Sequence, residues 1–354
     1  MENLFLDPTL IIIIAGLIGF FMAFGIGAND VANAMGTSVG SKAITLKQAV
    51  IIAAIFEFLG AYFAGGEVTS TIRKGIVDPS IYSNDVNIFI IGMLSSLLAA
   101  GLWLLIASSK GWPVSTTHSI VGAIVGFVLI SKGASNVSWG TVGGIASSWI
   151  TSPLVSGLMA FLLYLSAKHL ILDRNNPTKA AVSVIPFYSF FVTAVICLVT
   201  ARKGLKHVGI NWTDNEIYLF TFVLSLLVSV FTFLFLLLKS SKLSSNVENQ
   251  FGILMIITAC AMAFAHGSND VANAIGPIAA VVSIVTSDGT IQTSSELNSW
   301  VLLLGAVGIV FGLAILGRHV IKTVGEKITT LTPSLGFSAN MATASTVLAA
   351  SYLG

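Results

Sequence analysis

Two aspartates stand where a charge is costly. Asp30 and Asp270 each interrupt a long apolar stretch. Each has one asparagine directly before it and another three residues on: Asn29 and Asn33 at the first, Asn269 and Asn273 at the second. A carboxylate inside a bilayer costs on the order of several kcal/mol unless it is paired or hydrated, so it marks a functional site by default. Positions i and i+3 share a helix face, so Asp30 with Asn33, and Asp270 with Asn273, can serve one site. Carboxylate and amide oxygens are hard ligands and suit a small hard cation. Asp30 with Asn33, and Asp270 with Asn273, are therefore candidate cation sites, with the two aspartates in direct contact with the metal ion. The plainer alternative, asparagines gluing helices together, does not need a charge. Gly25, Gly27 and Gly36, with Gly267 and Gly276, would let these helices break and free backbone carbonyls for the same cation.

Glu57 is a third carboxylate in an apolar run, Ile51–Phe63; the alternative is a snorkelling side chain or one paired with Arg73 or Lys74. The segment Pro113-Val114-Ser115-Thr116-Thr117-His118-Ser119 carries different chemistry. Proline favours the first helical turn and a hydroxyl caps it. The free N–H groups and positive dipole of a helix start attract oxyanions, and three consecutive hydroxyls add donors. A plain capped helix start is the competing reading. His118 is a donor, a proton site or a structural histidine. His266 stands where the first copy has Ile26 and reads as structural.

Anion donors and acidic sites in one membrane imply coupling. A dianion such as hydrogen phosphate is repelled by two carboxylates. Cations bound there reverse the sign and make the two bindings mutually favourable. That is the requirement for a symporter, with sodium as the coupling ion and protons as the other choice.

The elements that must hold these residues are membrane helices. Only 9 % of the 354 residues are charged and 55 % are apolar, whereas a soluble domain carries about 25 % charged residues. The mean hydropathy is +0.93. Apolar stretches run at 10–36, 49–66, 88–107, 113–130, 139–166, 184–200, 217–238, 252–285, 300–317 and 339–353. They lack apolar/polar alternation, so helices rather than a barrel cross the lipid. Stretches 88–107 and 113–130 are joined by five residues and form a tight pair, either two spans or one re-entrant hairpin. Glu2 and Asp7, with no basic residue before the first run, argue against a signal peptide. Net charge is +2 with no basic run, which excludes nucleic acid as a partner. Cys197 and Cys260 sit in apolar runs, which rules out a disulfide framework or a zinc cluster.

The chain repeats itself. Phe24–Gly36 matches Phe264–Gly276 at nine of thirteen positions, six of them consecutive. A weaker match aligns Gly60, Gly65, Val68 and Thr71 with Gly312, Gly317, Val320 and Thr323, which places Ile309 opposite Glu57. An even number of spans separates the copies, so they run antiparallel. This is an inverted-topology repeat, typical of secondary transporters with a site near the midplane. The predicted fold is an all-α polytopic membrane protein with inverted repeats, broken helices and a re-entrant hairpin. Residues 1–130 form the first repeat, 131–250 the intervening helices (scaffold or oligomer contacts), and 251–354 the second repeat.

The two runs Gly27–Ala34 and Gly267–Ala274 resemble the signature of the PiT inorganic phosphate transporter family. So do Glu57–Gly60 with Thr71–Gly75, and Pro113–His118. The resemblance covers most of 15–130 and 250–354. It implies phosphate cotransport with sodium or protons by alternating access in the plasma (cell inner) membrane. It implies no enzyme activity and no cofactor beyond the coupling ion. Carried over, Asn29, Asp30, Asn33, Asn269, Asp270 and Asn273 are cation and phosphate ligands, with Asn33 and Asn273 on the phosphate. Ser115, Thr116 and Thr117 donate to phosphate. Glu57 is important for transport, and His118 is placed with it in coupling. Some members carry sulfate or metal-phosphate complexes, which are the nearest alternatives. An intramembrane aspartyl protease is the remote one, and it leaves the asparagines and the Ser-Thr-Thr run unexplained. The family also has a second PVSTTH-like hairpin, expected to begin where Ala349–Gly354 ends, so the sequence reads as an incomplete copy. Oligomeric state is left open, a homo-oligomer included.

Overall fold

The computed structural model describes residues 4, 6–66, 76–204, 212–239, 247–291, 298–327 and 329–353. Val68, Thr71–Gly75 and Gly354, which entered the repeat and the family resemblance, lie outside them. The described residues are helical, with short connections and no strand. The helices are α1 (Pro8–Gly40), α2 (Leu46–Ala64), α3 (Val86–Ser109), α4 (Thr116–Ser131), α5 (Trp139–Ala167), α6 (Pro177–Val199), α7 (Asp214–Lys239), α8 (Glu248–Thr286), α9 (Ser299–Ile315), α10 (Gly317–Lys327) and α11 (Pro333–Leu353). Every apolar stretch marked in the sequence overlaps a helix, and 300–317 runs across both α9 and α10. Among the described residues seven helices are long and apolar enough to cross a bilayer, eight if the broken pair α9 and α10 counts as one span.

Local chemistry sets the helix ends. The Asp7 carboxylate accepts from the N–H groups of Thr9 and Leu10, at 2.9 and 3.3 Å, and Pro8 opens α1. Such caps satisfy donors that the first turn leaves orphaned. The tight pair resolves into one long and one short helix. The 24 residues of α3 suffice to cross. The 16 of α4 extend about 24 Å, less than the ~30 Å hydrocarbon core.

The glycines do something other than predicted. Both α1 and α8 run unbroken through their motifs, and the helix break occurs at Leu316, between α9 and α10. The glycines serve close approach instead. A Cβ on Gly27 would collide with the Ile309 carbonyl oxygen, and one on Gly267 with the Glu57 carbonyl oxygen. These two contacts are the same contact made by the two repeats, with Glu57 and Ile309 as the equivalent positions. A helix keeps its hydrogen-bond ladder when a glycine lies at such a crossing, so no carbonyl needs to be freed there.

The chain divides into two compact units that cut across the repeats. The first comprises 1–30, 57–148 and 267–320. Within it, Tyr82 is buried and stacks on Phe127, and the Lys132 ammonium pairs with Asp85 at 2.6 Å and lies over the Tyr82 ring. Ser131 Oγ donates to the Phe127 carbonyl, so the Tyr82 hydroxyl is the donor in its 2.6 Å bond to Ser131. Burial pushes the Tyr82 phenol above its ordinary pKa, which keeps that donor in place.

The second unit comprises 31–56, 149–266 and 321–354. Phe337 packs there between Tyr188 and Phe251. Glu248 accepts from both the N–H and the hydroxyl of Ser334, and Thr37 donates to Asn340 at 2.6 Å. Ser229 ties α7 to α6 by donating to the Pro186 carbonyl. The outward residues Ile150, Leu154, Leu158, Phe161 and Leu162 of α5 are exposed. In lipid such a face costs nothing.

Candidate functional site

The joint between α3 and α4 is the centre of the first unit's polar network. After Ser109 the chain turns through Gly111, at φ +69°, a value that glycine adopts without strain. It then runs without regular structure from Trp112 to Ser115, the last of them extended, before α4 starts. Ser115 caps α4 by accepting from the His118 N–H at 3.2 Å.

Asn29 holds this joint from α1. Its Nδ2 donates to Ser108 Oγ at 3.1 Å and to the Trp112 carbonyl at 2.9 Å, and its Oδ1 accepts from the Val114 N–H at 2.9 Å. Both N–H donors of the amide are used on the joint. One side chain thus satisfies two backbone groups of a segment that has no ladder of its own.

The next residue reaches the helix start. Thr116 Oγ1 donates to Asp30 Oδ2 at 2.6 Å. From α8, Asn273 Nδ2 donates to Thr116 Oγ1 at 3.3 Å and to Thr117 Oγ1 at 3.1 Å. Asn29, Asp30, Thr116 and Asn273 are each no more than 3 % exposed. Asn269 Nδ2 donates to Asp270 Oδ1 at 3.2 Å. Carboxylate oxygens of Asp30 and Asp270 lie within 4.8 Å of each other. At that distance two full charges repel by about 3.5 kcal/mol at an effective dielectric of 20. A cation between them turns the repulsion into two attractions, and the oxygen-rich donor set suits a hard ion.

The structure thus joins Asn29, Asp30, Asn269, Asp270, Thr116, Thr117 and Asn273 in one network. Ser115 and His118 are exposed and line a cavity of about 520 Å³ with Trp103, Val114 and Ser119. Glu57 is fully buried on α2, its carbonyl against Gly267. Asn33 is exposed and belongs to the second unit. Three contributors were not singled out from sequence. Ser108 is buried and takes a bond from Asn29, and its place in the polar joint was the available signal. The Trp112 carbonyl and Val114 N–H are backbone groups, which no residue type announces.

Comparison with known proteins meets this geometry. Residues 26–354 match the phosphate transporter family. The chain belongs to that family. A protein of Haemophilus influenzae named as a phosphate permease is 51 % identical over 347 residues, covering 96 % of this chain and 83 % of the relative. One from Thermococcus kodakarensis is 43 % identical, covering 99 % and 85 %. A solved structure described as the sodium-dependent phosphate transporter is 43 % identical and superposes with a TM-score of 0.86, covering 97 % of this chain and 85 % of that one. Membership in this family makes the chain a multi-pass membrane protein of phosphate transport.

Proposed function

We propose that this phosphate transporter family member is a secondary symporter that imports inorganic phosphate with sodium by alternating access. The observation that carries the reading is the meeting of Asp30 and Asp270 within 4.8 Å, beside the hydroxyls and amides of Thr116, Thr117 and Asn273. Sodium at the aspartates cancels their mutual repulsion and the repulsion each exerts on the anion. Phosphate then finds donors from α4 and α8 close by. Phosphate is preferred over sulfate because a carboxylate accepts the P–OH proton, which sulfate does not offer. Sodium is preferred over a proton because amide and carboxylate oxygens together form a cation site. The sodium dependence of the solved relative supports the same ion.

In this reading Asn29, Asp30, Asn269 and Asp270 serve the cation. Asn273, Ser115, Thr116 and Thr117 serve phosphate, and Glu57 and His118 serve coupling. Residues 1–130 and 251–354 are the transport halves, 131–250 the scaffold, and the membrane is the cell's inner or plasma membrane. Proteoliposomes carrying the full chain test it. Labelled phosphate is offered under an imposed sodium gradient and, separately, an imposed pH gradient, with sulfate as competitor. Uptake driven by sodium and indifferent to sulfate is expected. Uptake that follows only the pH gradient overturns the coupling ion, and equal competition by sulfate overturns the substrate.

A further inference from the structure

Thr116 occupies a position between the two chemistries that no simple ligand role explains. A threonine hydroxyl has one proton to donate and two lone pairs. Asp30 as a carboxylate only accepts, and Asn273 Nδ2 only donates. The 2.6 Å bond to Asp30 Oδ2 therefore takes the Thr116 proton, and the 3.3 Å bond from Asn273 takes one lone pair. With no cation at Asp30, Thr116 presents an oxygen, not a proton, to any anion at the start of α4. Thr117 differs. The bond from Asn273 uses its lone pair only, at 3.1 Å.

We infer that Thr116 is a donor switch through which sodium at Asp30 licenses phosphate binding. The inference rests on the sodium–phosphate reading above. A hydrogen bond to an ionised carboxylate is roughly twice as strong as a neutral one. A cation on Asp30 withdraws that advantage, and the hydroxyl rotates to donate to a phosphate oxygen instead. Empty Asp30 thus keeps Thr116 turned towards the carboxylate, and filled Asp30 turns it towards the anion. The device is one bond rotation in a buried group, with no helix movement. It needs a carboxylate and an amide donor on one hydroxyl, which the repeats provide through α1 and α8.

The test measures phosphate affinity of the purified full chain at low and at saturating sodium. In the parent, affinity rises with sodium. In Thr116→Val, isosteric and without the proton, that rise shrinks by about tenfold, near the difference between a charged and a neutral hydrogen bond. By reciprocity, the tightening of sodium binding by phosphate shrinks by the same factor. Thr116→Ser keeps the parent's rise. Thr117→Val weakens phosphate at both sodium levels and leaves the ratio intact. Asp30→Asn provides a second route: its phosphate affinity becomes insensitive to sodium. A Thr116→Val or Asp30→Asn protein that retains the parent's ratio overturns the switch. A parent with no sodium-dependent phosphate binding overturns the underlying reading itself, and is recognised before any variant is made.

Discussion

The two copies of the motif share nine residues of thirteen and use them differently. In the first copy, Asn29 spends its amide on the α3–α4 joint, and Asp30 takes the Thr116 hydroxyl. In the second, Asn269 bonds its own neighbour Asp270, and the reach to α4 falls to Asn273, one turn on. Asp30 is buried and Asp270 half-buried. Identical side chains on identical helices acquire roles from what packs against them. The joint at 112–115 docks on the first copy, so the first copy positions and the second completes. The glycines tell the opposite story. Gly27 and Gly267 make the same backbone crossing, at Ile309 and Glu57. The repeat is symmetric in its packing and asymmetric in its polar chemistry.

Charge removal breaks that comparison most severely. On the proposed sodium–phosphate reading, Asp30→Asn takes a buried carboxylate from the cation, a loss of about 3 kcal/mol or more that lowers sodium-driven uptake by about a hundredfold or beyond. Asp270→Asn also cuts uptake, but less, because its half-exposed position lets solvent screen the charge. Uptake kinetics of both variants in proteoliposomes, normalised to protein inserted, decide the order. Equal losses would show that the two carboxylates act as one unit.

Packing is the control, and here the copies should agree. Gly27→Ala and Gly267→Ala each force a methyl against a carbonyl oxygen that cannot move without its helix. Each should cost about 3 kcal/mol, and the two values should fall close together. Thermal unfolding in detergent measures both. A large gap between them means that the crossings are not equivalent.

Much of this was legible in sequence. The apolar stretches, the tight pair at 88–130 and the repeat came from composition and spacing alone; which arm of the pair is short did not. So did the pairing of Glu57 with Ile309, because the offset between the copies fixed it. The glycines were readable as special but not as to why. A glycine that breaks a helix and one that admits a neighbour look the same until the neighbour is known. The role of Asn29 was hidden for a similar reason. Its partners are a serine 79 residues away and two backbone groups. Residue type announces the capacity of an amide to bond, and the tertiary fold decides which partners meet it.

Asparagine truncation separates the two roles. Asn29→Ala leaves the Trp112 carbonyl and Val114 N–H without their Asn29 partner in a part-buried joint, at a cost of about 1–3 kcal/mol. Asn269→Ala leaves the joint intact and should cost under ~1 kcal/mol. A cysteine placed at Val114 in each background reports the joint directly. Thiol labelling should accelerate with Asn29→Ala and stay unchanged with Asn269→Ala. Equal labelling in both would remove Asn29 from its place as the anchor of the hairpin.

The smallest effect is expected at the hairpin's other end. Lys132 and Asp85 form their ion pair with side chains 23 % and 42 % exposed, so solvent screens most of its strength. Lys132→Met keeps the methylene packing over the Tyr82 ring and loses only the charge. The cost should stay below ~1 kcal/mol and shrink further in high salt. Unfolding temperatures of this variant and of Asn29→Ala, measured side by side, decide which end holds the hairpin. If Lys132→Met proves as costly as Asn29→Ala, the base rather than the joint sets where Thr116 points. The asymmetry between the two copies would then originate outside the motif that they share.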